Sequence, residues 1–162
     1  MIVAQEASSH SVDSPRLKPM LDHLEENLLG VGAPEKERQP KWFTGDAGYC
    51  GKNNLRLLAD RQIAAYVPTG RERRHRVGIA HGSRTRTPLR AAMGEKLQTP
   101  EGPAVYTRRK AITEPVHGLI KQTRGFRQFL LRGLDKVSGE FTMVALTRDI
   151  LKIWRTQLAG TG

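Results

Sequence analysis

A length of 162 residues corresponds to one domain and argues against a multidomain enzyme. Lys and Arg together number 27 against 16 Asp and Glu, and this net charge of +11 favours a polyanionic partner, nucleic acid above all. The one cysteine excludes an internal disulfide framework and a multi-cysteine zinc site, and no stretch reaches membrane-spanning length, so we expect a soluble cytoplasmic protein.

The first half of the chain predicts strands and helices in alternation. A short apolar run at 2–4 is the first candidate strand. Leucines at helical spacing predict a helix that starts with Ser14 as N-cap and Pro15 at the first helical position, and that ends at Gly30.

Two more strands and another helix follow. Residues 42–44 predict a second strand, Asn53 is the expected cap of a second helix, and residues 63–67 predict a third strand. This order indicates an α/β fold with a short three-stranded sheet and flanking helices.

The second half holds the excess charge. Residues 71–96 and residues 105–136 each contain 8 basic and 2 acidic residues, which gives +6 for each segment. Residues 71–98 show little apolar periodicity and predict a basic, flexible insertion within a single domain that spans 1–162. The helical period returns from 99 to about 123, and a last helix at 139–158 is apolar enough to be largely buried.

Asp46 is the first candidate for chemistry. It follows the strand at 42–44 and precedes a glycine turn, and the carboxyl ends of strands are where open α/β sheets place catalytic groups. An Asp before Gly also forms ordinary turns, so both roles stay open.

Glu114 is the second candidate. Helical geometry places Lys110, His117 and Lys121 around it, with an opposite apolar face made of Val105, Ile112, Val116, Leu119 and Ile120. The arrangement suits either a solvated face with a Lys110–Glu114 ion pair or a metal-binding carboxylate flanked by phosphate-binding cations. Pro115 indicates a kink, or a helix that begins there with Thr113 as its cap.

Two phenylalanines alternate with arginines just after this helix. Phe126 and Phe129 lie among Arg124, Arg127 and Arg132. Aromatic rings between cations are typical of a nucleic-acid stacking surface, but the spacing equally suits packing beneath a helix.

Three stretches together resemble bacterial insertion-sequence transposases of the DDE type: 42–50, 106–121 and 125–133. The resemblance is to the branch with the signature Tyr, two residues, Arg, three residues, Glu, six residues, Lys. Tyr106, Arg109, Glu114 and Lys121 match it, except that four residues separate Arg109 from Glu114. Lys110 has the expected spacing to Glu114 and stands beside Arg109 as a candidate.

The resemblance implies a partial RNase H-like fold and a site in which carboxylates hold two divalent ions, Mg²⁺ or Mn²⁺, for DNA cleavage and strand transfer. It maps the second acid to Asp46 and the third to Glu114, both as catalytic metal ligands. Expected DNA contacts, from the signature and the basic segments, are Tyr106, Arg109, Lys110, Lys121, Arg73, Arg74, Arg76, Arg124 and Arg127.

In this family the first acid lies on a strand upstream of the one that matches 2–4. We therefore expect a C-terminal transposase fragment whose leading strands are missing, nucleoid-associated, binding element ends and target DNA, and inactive alone. The alternative is a non-enzymatic basic DNA-binding protein, or an inhibitor that pairs with a full-length transposase. Possible protein partners are thus that transposase or a second copy of this chain.

Overall fold

The computed structural model describes residues 1–9, 12–70, 87–123 and 125–160. Within these ranges the helices and strands are, in chain order, α1 Leu17–Gly30, β1 Trp42–Thr44, α2 Lys52–Asp60, β2 Ala64–Tyr66, α3 Pro88–Lys96, α4 Glu101–Gly118 and α5 Leu134–Ala159. A π-helical turn, Leu119–Thr123, continues α4. Helices make up most of the described structure. The helices α1 and α2 confirm the two that the leucine spacing predicted.

The two strands pair in parallel, with Trp42 opposite Ala64 and Thr44 opposite Tyr66. The strand predicted at 2–4 is wrong, because the backbone there bonds to side chains of two helices. The Ile2 amide donates to the Asp149 carboxylate at 2.7 Å, and the Asn27 side chain donates to the Val3 carbonyl at 2.9 Å.

The main core lies where the sheet meets the first four helices. Its buried members are Leu17 and Leu21 of α1, Leu55 and Leu58 of α2, Ile63, Ala65, Tyr66 and Val67 at β2, Met93 and Leu97 at α3, Tyr106 of α4, and Cys50. Burial raises the pKa of the Cys50 thiol more than the nearby Arg90 lowers it, so this cysteine packs as a neutral group.

Both predicted helix caps are wrong. Ser14 opens a 3₁₀ turn that leads into α1 without a side-chain cap, and α2 starts after Gly51, one residue before Asn53. The neighbouring Asn54 is buried instead, and its amide donates to the carbonyl and the hydroxyl of Ser14 at 3.0 Å each. Ser14 and Asn54 therefore join the start of α1 to α2, and neither caps a helix.

Helix α3 is a correction to the predicted flexible insertion at 71–98. Residues 71–86 lie outside the described residues, but Pro88–Lys96 form a regular helix with Met93 and the following Leu97 buried. The sequence pattern missed α3 because few apolar residues fix it. The end of α3 lies close to the start of α4 at Gly102. A Cβ at Gly102 would lie only 2.3 Å from the Lys96 carbonyl oxygen.

Helix α5 is more exposed than its composition predicts. It begins at Leu134 and turns Ala145 and Asp149 inward, but six of its apolar side chains are about half exposed. These are Met143, Leu146, Ile150, Ile153, Trp154 and Leu158. The expectation of a largely buried helix is therefore wrong. Among the described helices, α5 included, the structure contains none with the length and apolarity to cross a membrane.

Candidate metal and nucleic-acid site

The carboxyl edge of the sheet carries Asp46. Parallel strands end on the same side, so the residues after Thr44 and after Tyr66 leave the sheet at one edge. The exposed Asp46 carboxylate accepts a hydrogen bond from the Gly48 amide at 2.8 Å and caps the 3₁₀ turn Ala47–Tyr49. The turn role is thus confirmed, and one of the two carboxylate oxygens is committed to it.

The basic segment starts and ends at the same edge. After β2 the chain runs through the buried residues Val67 and Thr69 to Gly70. The Arg90 guanidinium of α3 donates to the Thr69 carbonyl at 2.8 Å and so ties the two ends of residues 71–86 together. Thr69, just before residues 71–86, thus lies after β2 at the sheet edge where Asp46 follows β1.

A polar cluster holds α3 and α4 against β2. The Tyr66 hydroxyl donates to Glu101 at 2.9 Å, and the Lys96 ammonium lies 3.9 Å from the centre of the Tyr66 ring and donates to the Ala65 carbonyl at 3.0 Å. Burial raises the pKa of Tyr66, and the bond to Glu101 raises it further. Burial lowers the pKa of Lys96, and the Glu101 charge partly offsets this.

Helix α4 faces the core with most of the side that was predicted. Val105 packs against the core, Val116 and Leu119 are half-buried and Ile120 is buried, whereas Ile112 is 55 % exposed. Tyr106, which was not assigned to this side, is 2 % exposed and belongs to the core. A buried ring offers no surface to DNA, so the predicted DNA contact by Tyr106 does not fit this structure. Arg109 lies half-buried with its guanidinium 5.4 Å from the Tyr106 ring centre.

Glu114 lies well inside α4, four residues after the half-buried Lys110. The helix runs from Glu101 through Pro115, so a helix start capped by Thr113 is wrong. Pro115 has no amide hydrogen, which leaves the Ala111 carbonyl without its usual helical donor. Lys121 is exposed on the π-helical turn. A π-helix has more residues per turn than an α-helix, so the spacing of an α-helix does not give the angle between Lys121 and Glu114 around the helix axis.

The cations after α4 are open to solvent. Arg127 is exposed and donates to the Gln122 side chain at 3.0 Å. Lys121, Arg132 and Lys136 are exposed as well, as is Arg108 within α4. The predicted contacts Arg73, Arg74, Arg76 and Arg124 lie outside the described residues.

Over the described ranges, the structure contains no group of three or more His, Cys, Asp or Glu residues placed to hold a metal ion. Asp46 nevertheless suits a hard divalent cation, because an exposed carboxylate with one oxygen in a turn keeps the other for coordination. Its assignment as a ligand, and that of Glu114, stay predictions.

Comparison with known proteins identifies the family. The profile of the family described as Transposase DDE domain matches residues 69–154, which is more than half of the chain. No curated protein and no solved structure matches at the threshold applied. The chain therefore belongs to the transposase DDE domain family.

Membership confirms the resemblance found in the sequence and gives the chain a function related to transposition. The mixed α/β architecture with its parallel strand pair agrees with the predicted partial RNase H-like fold. Proteins of this family generally use divalent metal ions.

Several positioning residues were not predicted from the sequence. Contacts between residues about 20 to 35 positions apart hold α3 and α4 in place, and they are made by Arg90, Lys96 and Glu101. A periodic pattern in the sequence does not predict such contacts. The sequence did contain a local indication of the role of Gly102, which lies between two prolines at the start of a helix. A glycine lowers helix stability, so its presence there indicates a position where a side chain would not fit.

Proposed function

We propose that this chain is part of a transposase catalytic domain that binds DNA through its two basic segments. The match over 69–154 supports the proposal most directly, because it includes both segments that carry the excess positive charge. The Thr69–Arg90 hydrogen bond adds support, since it holds two residues that flank 71–86 close together and Thr69 follows β2 at the sheet edge where Asp46 follows β1. Binding through phosphates carries no sequence information, so we expect little sequence preference.

In this proposal Asp46 and Glu114 ligate Mg²⁺ or Mn²⁺, and the cations near them hold phosphate oxygens. When bound, the metal supplies Lewis-acid activation of the attacking oxygen and of the scissile phosphate. The Gly48 amide orients the Asp46 carboxylate, and Lys110, Arg109 and Lys121 are the phosphate-binding candidates. Tyr106 packs under Arg109 and positions it, rather than contacting DNA itself.

We further propose that this chain alone does not cleave DNA. The resemblance assigns the second and third acids to residues of this chain and assigns no residue to the first. Two carboxylates in a protein of net charge +11 neutralise two divalent ions poorly. The missing ligand would then come from a further segment or another chain.

Replacing Arg73, Arg74 and Arg76 together with alanine tests the first basic segment. We expect the slope of log affinity against log salt to become shallower by about 2.7 units, because each phosphate contact contributes about 0.9. Fluorescence anisotropy with a labelled duplex, between about 50 and 200 mM salt, measures the slope.

The matched control replaces three exposed lysines outside both basic segments, Lys36, Lys41 and Lys52, with alanine. It removes the same formal charge, so a general charge effect would change the slope in both variants. An unchanged slope in the arginine variant would reject the segment as a DNA contact.

The alternative function is that of a non-enzymatic DNA-binding protein that pairs with a transposase chain. The exposed apolar side of α5 favours it, because Met143, Leu146, Ile150 and Ile153 follow the 3–4–3 spacing of a two-helix seam. A second copy of α5 carries the same uncharged residues at the same spacing. We therefore expect the α5 helices of two chains to pack against each other.

Met143→Glu combined with Ile150→Glu tests the seam. We expect the unmodified chain to dimerise as its concentration rises and the double variant to stay monomeric, because each interface would bury four carboxylates. Sedimentation velocity measures the assembly state. Val31→Glu changes an exposed apolar residue at the end of α1 and should leave the dimer intact. A wild-type chain that is monomeric throughout would exclude this pairing.

A further inference from the structure

A cluster of three phenylalanine rings lies apart from the main core, between the end of α4 and the start of α5. The Phe126 and Phe129 ring centres are 5.5 Å apart, those of Phe129 and Phe141 are 6.1 Å apart, and both pairs meet edge to face. The rings border a cavity of about 150 Å³. Phe129 keeps 45 % of its surface exposed, so one ring is accessible from solvent.

Polar groups complete the wall of this cavity. Lys121, Arg127 and Gln128 line it together with the three rings and Ile120, and none of the described residues on its wall is acidic. Arg127 uses one nitrogen on the Gln122 side chain and has further N–H donors. Cations, an amide and aromatic rings therefore converge on one small space.

Backbone contacts hold the cavity in shape. Gly125 and Gly133 have φ values of +66° and +90° and bend the chain at either end of the loop. The Glu140 carboxylate accepts hydrogen bonds from the amides of Leu130 and Leu131 at 2.9 to 3.1 Å. The loop that carries Phe126 and Phe129 is thus fastened to α5 before any ligand arrives.

Packing alone accounts for part of this arrangement, because Phe126 is half-buried and Phe141 of α5 packs edge to face on Phe129. It does not account for a cavity left beside a half-exposed ring, nor for two cations and an amide on its wall. A purely structural cluster would gain by closing the space over Phe129.

We propose that this cavity binds one unpaired nucleobase of single-stranded DNA, with Lys121 and Arg127 on the adjoining phosphates. This deepens the proposed function and depends on the chain binding DNA. Every base has a π face that stacks on an aromatic ring, and a glutamine amide both donates to and accepts from base edges. A paired base inside a duplex cannot reach the cavity, because its faces are covered by its neighbours.

The test compares a single-stranded oligonucleotide with the corresponding duplex, using the full chain. The strand carries one 2-aminopurine, whose fluorescence falls when the base stacks. We expect Phe129→Ala to weaken single-strand binding about tenfold and to abolish the fluorescence change, with duplex affinity unchanged. Phe129→Tyr keeps an aromatic face and should retain both signals.

Leu130→Ala is the matched control, since Leu130 is a 77 % exposed neighbour that does not line the cavity. Arg127→Gln gives a readout independent of ring packing, a salt slope for the single strand that is shallower by about 0.7. An unchanged single-strand affinity in Phe129→Ala, or an equal loss with the duplex, overturns the proposal. A wild-type chain that binds neither form of DNA overturns the proposed function itself.

Discussion

Gly102→Ala is expected to lower the free energy of unfolding by about 3 kcal/mol, near the upper end of the usual cost of overpacking. The added Cβ would lie 2.3 Å from the Lys96 carbonyl oxygen and 2.7 Å from the Leu97 Cα. Both are backbone atoms, so the clash is relieved only if α3 and α4 move apart. Thermal unfolding followed by circular dichroism should show a midpoint lower by roughly 10 °C.

Gly118→Ala is the control, because it changes the same residue type in the same helix. A Cβ at Gly118 meets nothing within 4 Å. Alanine has the higher helix propensity, so we expect Gly118→Ala to be neutral or to stabilise the protein by up to about 1 kcal/mol. Equal thermal unfolding midpoints for the two variants would show that Gly102 does not lie this close to the Lys96 and Leu97 backbone in solution.

Joining this chain to the N-terminal region of a full-length family member is expected to give metal-dependent DNA nicking. We expect the chain alone to give no Mn²⁺-dependent nicking of an element end, and a fusion to the corresponding N-terminal region of a full-length family member to nick it. In the fusion, Asp46→Asn or Glu114→Gln should lower the rate about 100-fold or more, because each removes one anionic metal ligand and nearly keeps the side-chain shape. A gel assay of nicked product measures the rate.

Controls for the fusion use the same substitutions at exposed acids far from the proposed site, Asp60→Asn and Glu26→Gln, which should keep full activity. A folded fusion that stays inert, or that remains active after both site substitutions, would show that Asp46 and Glu114 are not the catalytic acids. The DNA-binding alternative would then replace the enzymatic function.

Local patterns predicted much of this fold. Leucine spacing gave α1 and α2, and turn residues bounded both strands within a residue of their ends. These signals suffice because a helix or strand that buries one face repeats apolar residues at its own period. The placement of Asp46 after a strand followed from the same local rules, and its turn hydrogen bond confirms that placement.

Side-chain environments were harder to predict, because they depend on contacts distant in sequence. Most of the predicted apolar side of α4 faces the core, but Ile112 is exposed and Tyr106 is buried in the core, which the helical spacing did not indicate. Helix α5 has apolar residues on most sides, and its sequence alone does not say which sides find a partner. The roles of Ser14 and Asn54 likewise depend on a contact between residues 40 positions apart.

The hydrogen bond between Arg90 and the Thr69 carbonyl also bears on how the basic segment can change over time. It holds together two residues that flank 71–86, and both belong to packed structure, with buried Thr69 on one side and α3 on the other. Because the two flanking positions are fixed, lengthening the chain between them costs little, about 0.6 kcal/mol of entropy for each doubling. Insertions and deletions between Gly70 and Thr87 are therefore expected to be nearly neutral for folding. This segment can thus change in length and charge while the sheet edge that carries Asp46 stays unchanged.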